Sequence, residues 1–222
     1  MNVIITGATG MVGKGVLLEC LESEYVERVL IVNRSSLGMQ HPKLEEVLLS
    51  DFEQVATIKD SFAGYDACFF CMGVSSAGMN EEKYSKLTYN TASAFGDTLF
   101  EVNPNLVFNY VSGTGTDSSE KGRIMWARVK GRTENYILNK GFKDAYMFRP
   151  GAIIPENGIK SRTPLYNAAY VVIRPFFGLL KKSKNVTTTT KLGQAMINTV
   201  RFGYDNKHPE NKEINEFAAK CT

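Results

Sequence analysis

The sequence predicts an α/β protein built on a doubly wound parallel sheet, with a small C-terminal lobe. Three observations point there. Short apolar runs alternate with stretches of helical periodicity from the first residues as far as Phe148. Those runs are continuous, as strands buried on both faces require. The first of them leads straight into a glycine-rich turn and then a helix. At 222 residues, 43% apolar and 22% charged, the chain has an ordinary globular composition and length enough for a sizeable core. That composition excludes a disordered regulator or a fibrous repeat.

The elements follow in order. Val3-Ile4-Ile5 reads as a buried strand entering glycines. Val12, Val16, Leu17, Cys20 and Leu21 form one apolar stripe at helical spacing. Val29–Val32, Val47–Leu49 and Tyr65–Met72 are the second, third and fourth strands. Tyr84, Leu87, Thr91, Phe95 and Leu99 mark a long helix over Glu81–Val102. Asn105–Val111 is a fifth strand. Trp126, Val129, Tyr136 and Ile137 lie on a further helix, and Asp144–Phe148 is a sixth strand. Strands alternating with helices of this length imply right-handed crossovers, with helices on both sheet faces. After Gly151 the alternation stops. Residues 1–222 are read as one domain, with 152–190 a substrate or lid lobe within it and a last helix near Leu192–Arg201.

Several function classes drop out early. A formal net charge of +3 is too small for a nucleic-acid-binding face. The chain passes from Met1-Asn2 directly into the first strand, so no secretory signal is expected. Leu165–Leu180 is the most apolar stretch. It falls short of the ~20 residues a bilayer span needs, and Asn167, Arg174 and Pro175 interrupt it. It offers a dimer face, a face for a protein partner or an internal packing face. Cys68 and Cys71 form a CxxC, but on a strand this spacing puts them on opposite faces, so they cannot share a metal. Four cysteines make no disulfide framework, which suits a reducing, cytoplasmic location. His41 and His208 lie in Pro-flanked polar loops and are not expected to bind metal. Lys181, Lys182 and Lys184 read as a solvated helix end.

The strongest motif is Thr6-Gly7-Ala8-Thr9-Gly10-Met11-Val12-Gly13. Its glycines follow GxxGxxG, directly after a strand and before a helix, the context of a dinucleotide phosphate loop in an NAD(P)-binding Rossmann fold. Gly7 permits the tight turn. Gly10 lets the backbone approach a pyrophosphate. Gly13 lets the helix pack close to the sheet. The helix N-terminus at Met11 and Val12 supplies free N–H groups and partial positive charge. An NAD site usually has a carboxylate at the end of the second strand. Here Val32 is followed by Asn33-Arg34-Ser35-Ser36, with no acid before Glu45. An arginine favours a 2′-phosphate, and one charge-assisted hydrogen bond is worth about 1.5–3 kcal/mol. NADP(H) is therefore expected over NAD(H).

With Thr6–Gly13, Asn33-Arg34, Asp51-Phe52, Cys71-Met72-Gly73, Lys130–Glu134 and Arg149-Pro150-Gly151 in view, nearly the whole chain resembles an atypical short-chain dehydrogenase/reductase. It is most similar to the branch of Tat-interacting-protein-like and NmrA-like nucleotide-binding proteins, related to nucleoside-diphosphate-sugar epimerases. The resemblance implies strand order 3-2-1-4-5-6 with a seventh short strand. It implies that Asp51 and Phe52 border the adenine, and that Cys71, Met72 and Gly73 line the path from ribose to nicotinamide. Pro150 and Gly151 would sit beside the nicotinamide, and Asn90 would join a water network behind the lysine.

The superfamily's catalytic helix carries Tyr-x-x-x-Lys, whose i, i+4 spacing stacks both side chains on one face. Here the segment reads Trp126-Ala127-Arg128-Val129-Lys130. The lysine that holds the nicotinamide ribose is present, but tryptophan stands where the tyrosine belongs. An indole N–H donates a hydrogen bond and cannot act as a phenol-like acid. Losing a positioned acid costs about 10²–10⁴ in rate. Three outcomes stay open. Another hydroxyl could serve, from Ser112, Thr114, Tyr110 or Tyr84, with Ser112 in the place of the family's serine. The substrate or water could supply the proton. Or the chain could bind NADP(H) without turnover, as a regulator or redox sensor of protein partners. An active enzyme would act on a small carbonyl or hydroxyl substrate, because the lobe after Gly151 is short.

Overall fold

The computed structural model describes residues 1–159, 177–181 and 183–221. Its centre is a six-stranded, all-parallel sheet in the order β3-β2-β1-β4-β5-β6. The strands are β1 (Asn2–Thr6), β2 (Arg28–Asn33), β3 (Leu44–Leu48), β4 (Ala67–Phe70), β5 (Val107–Val111) and β6 (Asp144–Phe148). The helices are α1 (Met11–Glu22), α2 (Glu81–Ser85), α3 (Thr91–Val102), α4 (Met125–Leu138), α5 (Phe177–Leu180), α6 (Thr189–Phe202) and α7 (Asn211–Ala218). The order 3-2-1-4-5-6 is the one the resemblance implies.

The period-two alternation of the strands builds two cores. Val3, Ile5, Ile31 and Phe69 point to one face, where Val16, Leu17 and Cys20 of α1 meet Leu192 and Met196 of α6. Ile4, Leu30, Val32, Cys68 and Phe70 point to the other, against Phe95 and Leu99 of α3 and Ile137 of α4. Cys68 thus belongs to one core and Cys71 packs against the other, as alternation along a strand demands. Helix α1 approaches α6 so closely that a Cβ on Gly15 would lie 2.4 Å from Cβ of Thr189.

Several boundaries differ from the sequence reading. The third strand begins at Leu44, not Val47, because this edge strand carries two acids with local partners. Glu45 pairs with Arg28 at 2.9 Å, and Glu46 turns toward the loop that follows β2. The long helix is interrupted by a π-helical turn at Lys86–Asn90, between α2 and α3. The seventh strand does not join the main sheet. Strand β7 (Ala152–Ile154) pairs with β8 (Val186–Thr188) in a separate two-stranded parallel sheet. The place beside β6 goes instead to backbone from the C-terminal region. Met147 N–H donates to Lys207 O at 2.8 Å, Arg149 N–H donates to Pro209 O at 2.9 Å, and Arg149 bridges to Glu210. Helix α7, which the sequence reading lacks, opens with a reciprocal capping box between Glu210 and Glu213. Of the expected Leu165–Leu180 helix, only its last residues, in α5, fall within the described residues.

The tight α1–α6 crossing makes a stability prediction. Gly15→Ala pushes a methyl group into Thr189, an overpacking that costs about 1–3 kcal/mol. Thermal unfolding is expected to move down by about 2–4 °C per kcal/mol, while Gly38→Ala, with nothing within 4 Å of the added methyl, tests the effect of a left-handed backbone without a clash.

Candidate dinucleotide and active site

The glycine loop forms a cradle made of backbone. Gly7 has φ +72°, a left-handed conformation that favours glycine. A Cβ there would lie 2.8 Å from Met72 N and 2.9 Å from the Cys71 carbonyl carbon. The loop after β1 is therefore pressed against the Cys71–Gly73 segment after β4. Gly10 N–H closes the turn onto Gly7 O at 2.8 Å. A Cβ on Gly13 would lie 2.2 Å from Gly7 O, so the close approach at Gly13 is to the loop itself. Gly10 caps α1 without a side chain, no acid lies in the first turn, and the first helical bond is Lys14 N–H to Gly10 O. The amides of Met11, Val12 and Gly13 precede that bond. A pyrophosphate suits this cradle, since its donors are backbone and a Cβ at Gly7 or Gly13 would collapse it.

At the adenosine end, Asn33 is buried at the close of β2 and Arg34 is exposed. Arg34 makes no side-chain hydrogen bond or ion pair among the described residues, and neither does Lys14 on the first turn of α1. Glu46 lies across the loop. Its carboxylate accepts from Asn33 Nδ2 at 3.2 Å, from Leu37 N–H at 2.9 Å and from the Ser36 hydroxyl. Burial alone would raise its pKa, but those three donors together bring it below the usual value. The carboxylate is thus committed to folding the loop. Asp51 caps the 3₁₀ turns of Phe52–Phe62 by accepting from Glu53 N–H at 3.0 Å. Phe52 packs 6.0 Å from Phe95, centroid to centroid.

The other end of the site is organised by one buried carboxylate. Glu134 of α4 has a side-chain exposure of 0%. It accepts from Arg149 Nε at 3.0 Å, from Arg149 Nη2 and from the Ser112 hydroxyl. Arg149 also reaches the Ser118 hydroxyl. His208 Nε2 lies 3.7 Å from the same carboxylate, buried and without a hydrogen-bond partner among the described residues. Burial lowers the His208 pKa and Arg149 lowers it further, against the pull of Glu134. The expected polar-loop histidine is in fact part of this network.

Lys130 sits one turn before Glu134 and donates from Nζ to the main-chain carbonyl of Ser112. Burial pushes its pKa down to about 8, and Glu134 opposes the shift. A Cβ on Gly113 would lie 3.9 Å from Lys130 Nζ and 3.7 Å from Pro150 O. Gly113 therefore lies between the ammonium and the Pro150–Gly151 segment, with ordinary contact distances to both. Trp126, one turn before Lys130, comes within 3.5 Å of the Cβ position of Gly115. Its indole N–H has no partner among the described residues. Asn211 of α7 receives Gly151 N–H at 3.1 Å, so the C-terminal helix holds this segment in place.

The four candidate hydroxyls separate clearly. The Ser112 hydroxyl, expected to polarise a substrate oxygen, donates in this structure to the buried Glu134 carboxylate. Tyr110 and Tyr84 are each 1% exposed, and burial raises both phenols, so neither reaches substrate. Thr114 alone is exposed; its hydroxyl donates to Arg149 O at 3.0 Å. Asn90 closes the π-helical turn, which packs against α4. The sequence reading missed Lys14, Glu46, Arg149 as a side chain, His208 and Asn211. Only the Lys130–Glu134 register could have signalled the network, through i, i+4 stacking.

Residues 3–133 match the model of the NAD dependent epimerase/dehydratase family. The chain belongs to that family. Within it, the atypical short-chain dehydrogenase/reductase character implied by the sequence agrees with its relatives. Protein HTATIP2 of Rattus norvegicus is 26% identical over 184 residues, covering 82% of this chain and 72% of that protein. Protein fmp52-2, mitochondrial, of Aspergillus terreus is 23% identical over 207 residues, covering 92% and 89%. Among solved structures, the Bordetella bronchiseptica enzyme WbmF in complex with NAD+ aligns with TM-score 0.69 at 14% identity, over 99% of this chain and 76% of that one. Yeast methylglyoxal/isovaleraldehyde reductase Gre2 complexed with NADPH aligns with TM-score 0.66 at 10% identity, over 95% and 77%. These likenesses show the shared Rossmann fold. Among the described residues no helix is long and apolar enough to cross a membrane.

The carboxylate network predicts a steep contrast between two variants. Glu134→Ala leaves the Arg149 guanidinium buried without its anion and is expected to cost about 3–5 kcal/mol of unfolding free energy. Ser112→Ala keeps the ion pair and is expected to cost about 1 kcal/mol. Urea unfolding of the two variants checks the difference.

Proposed function

We propose that this family member binds NADP(H) in preference to NAD(H) and uses it on a small carbonyl or hydroxyl substrate, as a reductase or in an epimerase-like reaction. The observation that carries the reading is the presence, at one end of the sheet, of a close-packed glycine cradle at Gly7–Gly13 and of the Lys130 ammonium on the Ser112 carbonyl after β5. The preference for NADP(H) is supported by two cations, Arg34 and Lys14, that have no partner among the described residues, and by the commitment of Glu46 to its own loop. A 2′-phosphate then meets positive charge while the Glu46 carboxylate is engaged elsewhere.

When bound, the dinucleotide supplies hydride chemistry at its nicotinamide. The chain's own residues do the rest. The amides of Met11, Val12 and Gly13 hold the pyrophosphate. Asp51 and Phe52 border the adenine. Cys71, Met72 and Gly73 flank the ribose path, while Lys130 holds the ribose and Pro150 and Gly151 back the nicotinamide. Substrate polarisation passes from Ser112 to Thr114, an exposed residue whose hydroxyl turns from Arg149 O to the substrate oxygen. Trp126 walls the pocket and excludes water.

Trp126 also favours a second reading, a regulator that changes partner affinity with NADP(H) occupancy, because the usual acid is missing. The cytoplasmic location belongs to the primary reading. Four fungal relatives carry mitochondrial names, and fractionation of cells producing the tagged chain separates the two locations.

Fluorescence titration through Trp126, the single tryptophan, tests nucleotide choice. NADPH is expected to bind at least tenfold more tightly than NADH. Arg34→Ala is expected to weaken NADPH by one to two decades, at about 1.5–3 kcal/mol for a charge-assisted bond, and to leave NADH unchanged. Equal affinities in the wild-type protein would remove the preference.

A further inference from the structure

We propose that Lys130 itself delivers the proton to the substrate oxygen, in the part that a tyrosine hydroxyl plays elsewhere in the superfamily. This assignment depends on the reductase reading above and adds the identity of the acid to it.

Elimination at the site comes first. The Ser112 hydroxyl is consumed by Glu134. The phenols of Tyr84 and Tyr110 are shut inside the core. The Trp126 indole donates a hydrogen bond but does not release its proton near neutral pH. The Thr114 hydroxyl is accessible, yet an aliphatic alcohol polarises an oxygen without protonating it. Lys130 has three N–H bonds. One goes to Ser112 O, and no partner among the described residues takes the other two. Gly113 brings backbone, not a side chain, alongside the ammonium, and Pro150 O borders the same spot.

Electrostatics tune the group for the task. From its own helix Glu134 favours the charged amine. From β6, Arg149 neutralises much of that carboxylate, and His208 stands behind it from the C-terminal segment. In the loop after β5, the Asp117 carboxylate is engaged with the amides of Ser119 and Gly122 and with the Ser119 hydroxyl. Burial therefore prevails, and the ammonium titrates near pH 8. An acid of that strength is protonated at neutral pH and still gives up its proton readily.

The step balances. The carbonyl carbon gains a C–H bond as the reduced nicotinamide gives up a hydride and its electron pair and becomes oxidised. The C=O π pair moves onto oxygen. One N–H bond of Lys130 breaks as the new O–H bond forms, and the neutral amine regains its proton from solvent.

Two measurements separate this assignment from the reading beneath it. In nucleotide-free protein, acetic anhydride labelling of Lys130 is followed against pH by mass spectrometry. A labelling midpoint near pH 8 is expected, and one near the ordinary lysine value of about 10.4 would overturn the assignment. In single-turnover reduction of 4-nitrobenzaldehyde by bound NADPH, the wild-type rate is expected to fall about tenfold per pH unit above the midpoint. Lys130→Arg keeps the charge but cannot release a proton. It is expected to lose about 10²–10⁴ in rate at saturating NADPH. Lys130→Gln serves in its place should the arginine not fold. Either variant reducing at the wild-type rate would contradict the proposal. Wild-type protein that binds NADPH but reduces nothing at any pH overturns the reductase reading, and the acid falls with it.

Discussion

The buried ion pair between Glu134 and Arg149 is the constraint on which the lysine end of the candidate site depends. A carboxylate with 0% side-chain exposure needs a charged partner and several donors to be tolerated at all. Meeting that need ties α4 to β6, draws in the Ser112 hydroxyl at the end of β5, and brings His208 alongside from the C-terminal segment. The consequence for function is indirect. With the Ser112 side chain turned to Glu134, its main-chain carbonyl is what receives Lys130. The lysine is thereby fixed by backbone on one side and by helix register on the other.

The phosphate end follows the opposite logic. It is built from the absence of side chains. Gly7 and Gly13 bring three pieces of backbone, the loop after β1, the start of α1 and the Cys71–Met72 peptide, closer than any Cβ allows. That leaves the first-turn amides of α1 as the donors. Under the proposed reading, selectivity between nucleotides comes from outside the cradle, where Arg34 and Lys14 have no anionic partner among the described residues and Glu46 is bound into its own loop. One end of the site is held by a dense polar network and the other by close-packed backbone, and the parallel sheet aligns the two.

Much of this was legible in the sequence, for physical reasons. Val3–Ile5, Val29–Val32 and Asp144–Phe148 are buried strands, and burial on both faces leaves a continuous apolar signature. The glycine loop was legible because its spacing and its strand–helix context are set by sterics that act locally. Leu44–Leu48 was misplaced because an edge strand is half exposed and its two acids have partners that only the fold supplies. The break in the long helix at Lys86–Asn90 changes the hydrogen-bond ladder without altering the apolar period. Helix α7 and the backbone beside β6 were hidden because they come from about sixty residues downstream, as Arg149 and Pro209 illustrate. Ser112 was named for the right place, the end of β5, but which way a hydroxyl turns depends on Glu134, a partner 22 residues away.

Trp126 gives the site its particular character. The chain keeps the lysine, the cradle and the sheet order with an indole at position 126, and Lys130 and Thr114 are both held by main-chain carbonyls, those of Ser112 and Arg149. The most direct test of this account is a crystal structure of the wild-type protein grown with NADP+. The account predicts the pyrophosphate against the amides of Met11–Gly13, the Ser112 hydroxyl still on Glu134, and Lys130 Nζ facing the ribose. A Ser112 hydroxyl released from Glu134 into the cleft, or a nucleotide bound away from the glycine cradle, would contradict it.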